Sequence, residues 1–202
     1  MKLVIMTKST FFVEEDKILT TLFDEGMDNL HLFKPGSTPL YAERLLSLIP
    51  EAYYRKITVH DHFYLKNEYD LAGIHLDSAD TEIPNNYKGK IGRTCTDIQM
   101  LKEMKKKSSC VFLKNIFDCI EFSEEKKTFT QQQLEDAADK GLIDRHVYAL
   151  GGMSLDNIRM AKTLGFGGVV ICGDLWSRFD IHNQTDFKEL IAHFEKLRNA
   201  VR

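Results

Sequence analysis

The sequence has no excess of charge of either sign. Among its 202 residues, 27 are lysine or arginine and 30 are aspartate or glutamate, so the formal net charge is −3, and the two signs are interspersed. Proteins that bind nucleic acid usually present a basic face. The composition therefore argues against a nucleic-acid partner, while it leaves room for a small basic pocket.

Long apolar runs and paired cysteines are missing as well. The first apolar run, at 2–7, is too short for a signal peptide, and no later stretch approaches the roughly 18 apolar residues that a membrane span needs. The four cysteines, at positions 95, 110, 119 and 172, contain no C-x-x-C pair, and a chain of this length needs no disulfide to fold. We therefore expect reduced thiols, no membrane partner and a cytoplasmic location.

Short apolar runs recur along the chain and alternate with segments of helical periodicity. The eight candidate strands lie at 2–7, 29–34, 56–60, 73–77, 90–94, 110–115, 146–151 and 167–172. The candidate helices lie at 14–27, 39–49, 97–106, 130–140, 154–165 and 185–200. This alternation predicts an α/β fold, a (β/α)8 TIM barrel that spans residues 1–202 as a single domain. The crossovers at 61–72 and 78–89 lack a clear helical pattern.

Two glycine sites follow the seventh and eighth candidate strands. Gly151 and Gly152 end the seventh strand, and Gly173 follows the eighth. In such barrels phosphate commonly binds to the loops after these two strands, where glycine lets the backbone approach an anion. The sequence predicts a phosphate site here, with Ser154 capping the next helix. The alternative is a tight turn. Asp174 places a negative charge beside the site, which is unfavourable for phosphate unless Asp174 caps a helix.

Carboxylates and histidines cluster after the third and fourth candidate strands. Asp61 stands between His60 and His62, and Asp77 and Asp80 follow the next strand. We expect Asp61 and Asp80 to be neighbours on the active-site rim, where their oxygens suit Mg²⁺. In the alternative, Asp80 caps a short turn and Asp61 is solvated. Zinc is disfavoured, because no cysteine or third histidine has a matching spacing.

Other polar residues lie in or near strands. His31 lies in the second strand, and Lys34, near its end, could reach an anionic group or simply be solvated. Thr94 ends the fifth strand and could donate one hydrogen bond, whereas His75 is expected to be a hydrogen-bonded interior residue. The run EEKK at 124–127 is expected to be solvated surface rather than a mobile lid.

These motifs together resemble the thiamine phosphate synthase/TenI superfamily, in strand order and over nearly the whole chain. The motifs that carry the resemblance are HDHF at 60–63, GIHLDSAD at 73–80, ALGGMS at 149–154 and GFGGVVICGDL at 165–175. GIHLDSAD is close to the family's G-[IV]-H-[LI]-G-Q-x-D, and LGGM within ALGGMS is close to its I-G-G-[IM].

The resemblance implies a function and assigns residues to it. Thiamine phosphate synthases join hydroxymethylpyrimidine diphosphate to a thiazole phosphate: pyrophosphate leaves with the help of Mg²⁺, and the thiazole nitrogen captures the pyrimidine cation. The matching positions are Asp61 and Asp80 for magnesium, Thr94 for a pyrophosphate contact, and Gly151, Gly152 and Gly173 for the thiazole phosphate. The resemblance therefore implies Mg²⁺ as cofactor and small phosphorylated pyrimidine and thiazole partners, and a homo-oligomer is compatible with it.

The second strand departs from the family pattern. The family motif Q-[LF]-R-x-K reads HLFKP here, so Phe33 and Pro35 occupy the places of two pyrophosphate-binding cations and His31 occupies the place of the glutamine. Lys34 is a candidate for a partial substitute. For the lysine usual after the sixth strand, the candidates are Lys126 and Lys127.

These departures leave two alternatives to synthase chemistry. The TenI branch acts as a thiazole tautomerase, needs no diphosphate site and uses a catalytic histidine, whose family places hold Thr96 and Asn115 here. His31 and His60 are then the candidate bases. The other alternative is a relative that binds a thiazole phosphate or thiamine phosphate without turnover. Synthase-like coupling remains the leading expectation.

Overall fold

Eight parallel strands form the centre of the protein. The computed structural model describes residues 1–121, 124–180 and 187–202. The strands are β1 (Lys2–Met6), β2 (Leu30–Leu32), β3 (Ile57–Val59), β4 (Gly73–Leu76), β5 (Lys90–Cys95), β6 (Cys110–Leu113), β7 (Val147–Ala149) and β8 (Gly168–Ile171). They pair in sequence order and close into a barrel. The predicted (β/α)8 TIM barrel is confirmed.

The first and last strands close the barrel. Val4 lies opposite Val170 and Ile5 lies opposite Ile171 in the parallel β1–β8 ladder. Because parallel strands all point the same way, their carboxyl ends meet at one mouth of the barrel. In barrels of this kind that mouth carries the functional site.

Helices of unequal length surround the strands. They are α1 (Glu15–Asp24), α2 (Pro39–Leu48), α3 (Leu65–Glu68), α4 (Leu101–Lys106), α5 (Gln131–Asp139), α6 (Ile158–Thr163), α7 (Gly173–Trp176) and α8 (Lys188–Val201). Short 3-10 turns at Glu51–Lys56 and Ile98–Met100 precede β3 and α4. The predicted helix at 185–200 corresponds to α8, and its first two predicted positions lie outside the described residues.

The start of α6 differs from the prediction. The helix begins at Ile158, with Asn157 as its N-cap residue. The Ser154 backbone N–H donates to the Asn157 side-chain oxygen at 2.9 Å. This hydrogen bond closes a turn over the residues that were predicted to form the first turn of the helix. The prediction that Ser154 caps the helix is therefore wrong. Gly165 follows the end of α6 with φ of 80°, the left-handed conformation that glycine commonly adopts just after a helix.

The two irregular crossovers have the form that the sequence suggested. Only the single turn of α3 connects β3 to β4, and the described segment between β4 and β5 contains no helix. The loops that carry Asp61 and Asp80 are therefore not followed by long helices.

Apolar side chains form two separate cores. Inside the barrel, buried residues from β1, β6, β7 and β8 pack together; they are Val4, Met6, Phe112, Tyr148 and Val170. The larger core lies between the strands and the helices, and includes Ile5, Leu19 and Leu190. Along each strand, residues that face the outer core alternate with residues that point into the barrel. Near the carboxyl ends of the strands, the residues that point inward are polar.

Two expectations about the chain as a whole can be compared with the structure. All four cysteines are free thiols, as predicted. Within the described ranges, every helix is too short or too polar to cross a lipid bilayer.

Candidate functional site

A cavity of about 210 Å³ opens at the carboxyl ends of the strands. Its apolar wall consists of Met6, Phe33, Leu150, Met153 and Val170. Its charged and hydroxyl-bearing residues are Asp77, Thr94, Thr96, Lys114, Glu121 and Glu125. Strands from all sides of the barrel contribute, so the cavity lies on the barrel axis.

A chain of hydrogen bonds runs from the barrel interior to this cavity. His31 Nδ1 lies 2.8 Å from His60 Nε2, and His60 Nδ1 lies 2.8 Å from an oxygen of Asp77. In the tautomer that carries its proton on Nδ1, His60 donates to the carboxylate, and its Nε2 accepts from His31. Both histidines are buried, whereas the Asp77 side chain is 40% exposed at the cavity.

Thr94 and His75 extend the same network. The Thr94 hydroxyl donates to the second oxygen of Asp77 at 3.2 Å and accepts from His75 Nε2 at 2.9 Å. Gly92 makes room for the His75 ring, since a Cβ at that glycine would lie 2.3 Å from His75 Nδ1. His75 is therefore a hydrogen-bonded interior residue, as predicted.

Three histidines that their spacing along the chain did not group together meet in the barrel interior. His31 lies in β2, His60 directly follows β3 and His75 lies in β4, and a ligand atom from each lies within 4.8 Å of the others. The His60 and His75 rings are nevertheless stacked, with centroids 4.4 Å apart and planes 19° apart. Nearly parallel rings cannot both direct an in-plane lone pair at one ion between them. The cluster is better described as a hydrogen-bond network than as a zinc centre.

Burial sets the protonation state of this cluster. Removal from water, together with the nearby His60, holds the pKa of His31 well below its usual value. Burial likewise lowers the pKa of His75, with further contributions from His60, His31 and Arg93. Both rings are therefore neutral at pH 7, which agrees with the tautomers inferred from the hydrogen bonds.

The three predicted phosphate-binding glycines all line the cavity. Gly151 and Gly152 have φ values of 97° and 59°, which favour glycine. Gly173 is the first residue of α7. Within the described ranges, no group accepts a hydrogen bond from the amide of Gly152 or Gly173. These amides are suited to bind an anion, and their role in phosphate binding remains a prediction.

Residues 117–121, here called the cover segment, lie against these glycines. A Cβ at Gly152 would lie 2.3 Å from the Asp118 carbonyl oxygen, and one at Gly173 would lie 2.7 Å from Ile120 Cβ. The glycines therefore permit close packing of the cover segment, which is a structural reason for them in addition to the predicted one.

The cover segment places a carboxylate in the cavity. One oxygen of Glu121 accepts from the Ser9 N–H at 2.9 Å and the Ser9 hydroxyl at 2.6 Å, and the other accepts from Cys172 Sγ at 3.0 Å. Burial alone would raise the pKa of Glu121, but these hydrogen bonds and the charge of Lys8 hold it below its usual value. A carboxylate is therefore accommodated between the ends of β1 and β8.

Asp174, next to Gly173, is matched by its own partners. Its side chain accepts from the Leu155 N–H at 3.2 Å and lies 2.7 Å from His193 Nε2, with Arg178 at 3.5 Å. This buried carboxylate therefore contacts α8 and the loop before α6.

The predicted magnesium ligands lie outside the cavity lining. Asp61 lies two positions after the end of β3 and is half-buried, and Asp80 is exposed in the loop after β4. One oxygen of Asp61 is buried and has no hydrogen-bond partner within the described part of the chain. A buried carboxylate oxygen without a partner is a feature that a bound cation would explain, so Asp61 fits the predicted ion.

Lys34 is held away from solvent by an ion pair. Its ammonium group lies 2.6 Å from Glu15, donates to the Thr10 carbonyl at 2.8 Å and lies 4.5 Å from the centre of the Phe11 ring. Both charged side chains are only 2% exposed. Burial lowers the pKa of Lys34 and raises that of Glu15 to about 7. The charge of Lys34 is therefore already matched, and its predicted contact with a ligand remains a prediction.

The sequence interpretation missed two residues of the site. Asp77 follows β4 two positions after the inward-facing His75, so strand alternation could have placed it in the barrel. Lys114 likewise follows the inward-facing Phe112, and its ammonium group lies 2.6 Å from Glu125. Glu125 thus lines the cavity, and the prediction that 124–127 is only solvated surface is wrong for this residue.

A closed parallel barrel with a partly polar cavity at its carboxyl-end mouth defines an enzyme-type TIM barrel. The chain is 44% identical to a thiamine phosphate pyrophosphorylase from Bacteroides thetaiotaomicron, with a TM-score of 0.91 over 99% of this chain and 97% of the other. The chain belongs to the thiamine phosphate pyrophosphorylase family, also called thiamine phosphate synthases, which confirms the resemblance to the wider superfamily. At the level of the family it is a transferase of thiamine biosynthesis.

More distant structures share the fold. A thiamine phosphate pyrophosphorylase from Pyrococcus furiosus is 16% identical, with a TM-score of 0.76 over 99% of this chain and 95% of the other. A 3-hexulose-6-phosphate synthase is 15% identical, with a TM-score of 0.66 over the full length of both chains. Neither the models of known protein families nor the curated proteins give a match.

Proposed function

We propose that this protein couples hydroxymethylpyrimidine diphosphate to a thiazole phosphate, forming thiamine phosphate and pyrophosphate. The observation that carries the proposal is the 44% identity to a thiamine phosphate pyrophosphorylase over nearly the full length of both chains. The position of the cavity supports it, because the three glycines predicted to hold the thiazole phosphate line one side.

In this reaction the bond between the pyrimidine methylene carbon and the diphosphate oxygen breaks, and its electron pair leaves with pyrophosphate. The thiazole nitrogen then supplies the electron pair of the new carbon–nitrogen bond. The apolar wall formed by Met6, Phe33 and Val170 excludes water, which would otherwise compete with that nitrogen for the cation. The amides of Gly152 and Gly173 orient the thiazole phosphate.

Asp61 and Asp80 would hold the magnesium ion. The unpartnered oxygen of Asp61 supports this assignment, and Asp80 follows the adjacent strand. When bound there, Mg²⁺ supplies positive charge that neutralises the departing diphosphate.

The coupling assay with both substrates and Mg²⁺ tests the proposal. We expect thiamine phosphate to form, a chelator to abolish its formation, and Asp80→Asn to reduce it strongly. Asp28→Asn is the matched control, because Asp28 is an exposed aspartate that lies with the strand beginnings, at the opposite end of the barrel. Absence of product at high enzyme concentration would refute synthase activity.

The hydrogen-bond chain from His31 through His60 to Asp77 favours a second candidate, a thiazole tautomerase of the TenI type. Asp77 lies at the cavity, where its carboxylate can accept a proton from a ligand, and the His60 N–H behind it holds the carboxylate in place. This candidate requires no diphosphate site.

The tautomerase reaction is tested by aromatisation of the thiazole carboxylate phosphate without metal. Asp77→Asn and His60→Ala should each abolish activity, whereas the exposed His146→Gln should retain it. If both reactions are absent but thiazole phosphate gives a saturable calorimetric signal that Gly152→Asp weakens, the protein is a non-catalytic binder.

A further inference from the structure

The cavity has few cations for a family whose substrates carry phosphate and diphosphate. Phe33 and Pro35 stand at the two strand-2 positions where the family has arginine and lysine. Lys34, between them, is buried against Glu15. The second strand therefore offers no free positive charge to a diphosphate.

Lys114 is the one basic residue among the described residues that line the cavity. It directly follows β6, and its backbone N–H donates to the Cys95 carbonyl at 2.8 Å, which continues the β5–β6 ladder. It faces the barrel axis in the same alternation as Phe112 two positions earlier.

The residues beside Lys114 suit an anionic ligand. The hydroxyl-bearing Thr94 and Thr96, on the neighbouring strand end, line the same cavity. The Lys114 side chain is 32% exposed, and its ammonium group can be reached from the cavity. A flexible stem with three donors suits the binding of phosphate oxygens.

We propose that Lys114 binds the diphosphate of the pyrimidine substrate, replacing the cations that strand 2 lacks. The inference rests on the proposed synthase function and identifies the charge that its leaving group requires. Lys114 contacts the diphosphate directly, while Phe33, at one of the two altered positions, contributes apolar wall.

Glu125 would compete with a diphosphate for Lys114. The two groups form an ion pair at 2.6 Å, and Glu125 belongs to the segment between β6 and α5 rather than to the barrel wall. The cavity lining holds one lysine and three carboxylates, Asp77, Glu121 and Glu125, which repel an anion. Binding of diphosphate therefore exchanges Glu125 for the ligand at Lys114.

Calorimetric titration of the full chain with inorganic pyrophosphate and Mg²⁺ tests the inference without requiring turnover. Lys114→Met should weaken binding by roughly ten- to a hundredfold, because it removes a charge-assisted hydrogen bond. Lys114→Arg should retain most of the affinity, and Glu125→Gln should tighten binding because Lys114 no longer has a competing partner. Lys102→Met, an exposed lysine on α4, is the matched control and should bind as the wild type does.

The other lysines near the sixth strand provide the competing explanation. If the joint variant Lys126→Met/Lys127→Met loses pyrophosphate affinity and Lys114→Met does not, the inference is wrong, as it is if the wild type fails to bind pyrophosphate. Should Lys114→Met not fold, as judged by thermal unfolding, unchanged affinity of Glu125→Gln decides against the inference. Lys114-dependent pyrophosphate binding without thiamine phosphate formation would instead reject the synthase proposal alone.

Discussion

Buried charge in this protein occurs where two elements meet near the mouth of the barrel. Lys34 follows β2 and Glu15 begins α1, and both side chains are almost completely removed from water. Burial disfavours both charged forms, so each group depends on its partner. Replacing either residue should therefore weaken the packing of α1 against the end of β2.

Loss of one partner of this pair should destabilise the fold. Glu15→Gln leaves the ammonium group of Lys34 buried without a counter-charge, and the free energy of unfolding should fall by about 3–5 kcal/mol in urea titrations at pH 8. Glu15→Met/Lys34→Met should recover most of this loss. Glu103→Gln, which removes the exposed pair with Lys106, should leave the urea midpoint unchanged. Equal midpoints for Glu15→Gln and Glu103→Gln would contradict the assignment.

The buried histidines predict a pH dependence of stability. The pKa values of His31 and His75 are lowered well below 6.5 in the folded state, mainly by burial. Below pH 6.5 the unfolded chain therefore binds protons that the folded protein does not, so stability is lost as pH falls. Each such group contributes a slope of about 1.4 kcal/mol per pH unit.

Urea titrations between pH 5 and pH 7 measure this slope. His31→Gln should reduce it by about the contribution of one group, while exposed His146→Gln should not change it. Parallel pH profiles for the wild type and His31→Gln would mean that His31 is protonated in the folded protein, contrary to its burial.

At the scale of the element, the sequence predicted strands better than it predicted helix ends. The apolar runs placed all eight strands, because strands buried on both faces leave continuous apolar stretches. The start of α6 was predicted too early, since Ser154 is a good cap residue by type, and only the three-dimensional turn, in which Asn157 accepts from the Ser154 N–H, delays the helix to Ile158.

The loop after β7 allows a test of how much the close contact between Gly152 and the cover segment limits substitution at that glycine. Gly152 and Gly165 both have positive φ, but only Gly152 lies against another backbone, with Asp118 O 2.3 Å from a hypothetical Cβ. Gly165→Ala should cost about 1–2 kcal/mol of unfolding free energy from backbone strain alone. Gly152→Ala should cost clearly more, because the cover segment must also move. Equal losses in urea titrations would show that the cover segment does not press on Gly152.

At the scale of the whole molecule, closure of the barrel brings together side chains whose positions in the sequence do not show that they are neighbours. His31, His60 and His75 are far apart in sequence, and they meet because β2, β3 and β4 pair in a fixed register. The fold class, the cavity position and its glycines followed from the sequence. The Asp77 network, the Lys114–Glu125 pair and the burial of Lys34 did not, because each depends on which side chains face one another across elements.

Closure also predicts cooperative unfolding at the joint between β1 and β8. Opening that joint leaves two unpaired strand edges, so it should occur only when the rest of the barrel unfolds. Trp176, the chain's single tryptophan, is buried there, and its indole N–H donates to the Met6 carbonyl at 2.7 Å. Its fluorescence therefore reports on the joint, while far-ultraviolet circular dichroism reports on all helices and strands. The two urea transitions should coincide, whereas a lower midpoint by fluorescence would mean that the barrel opens at this joint first.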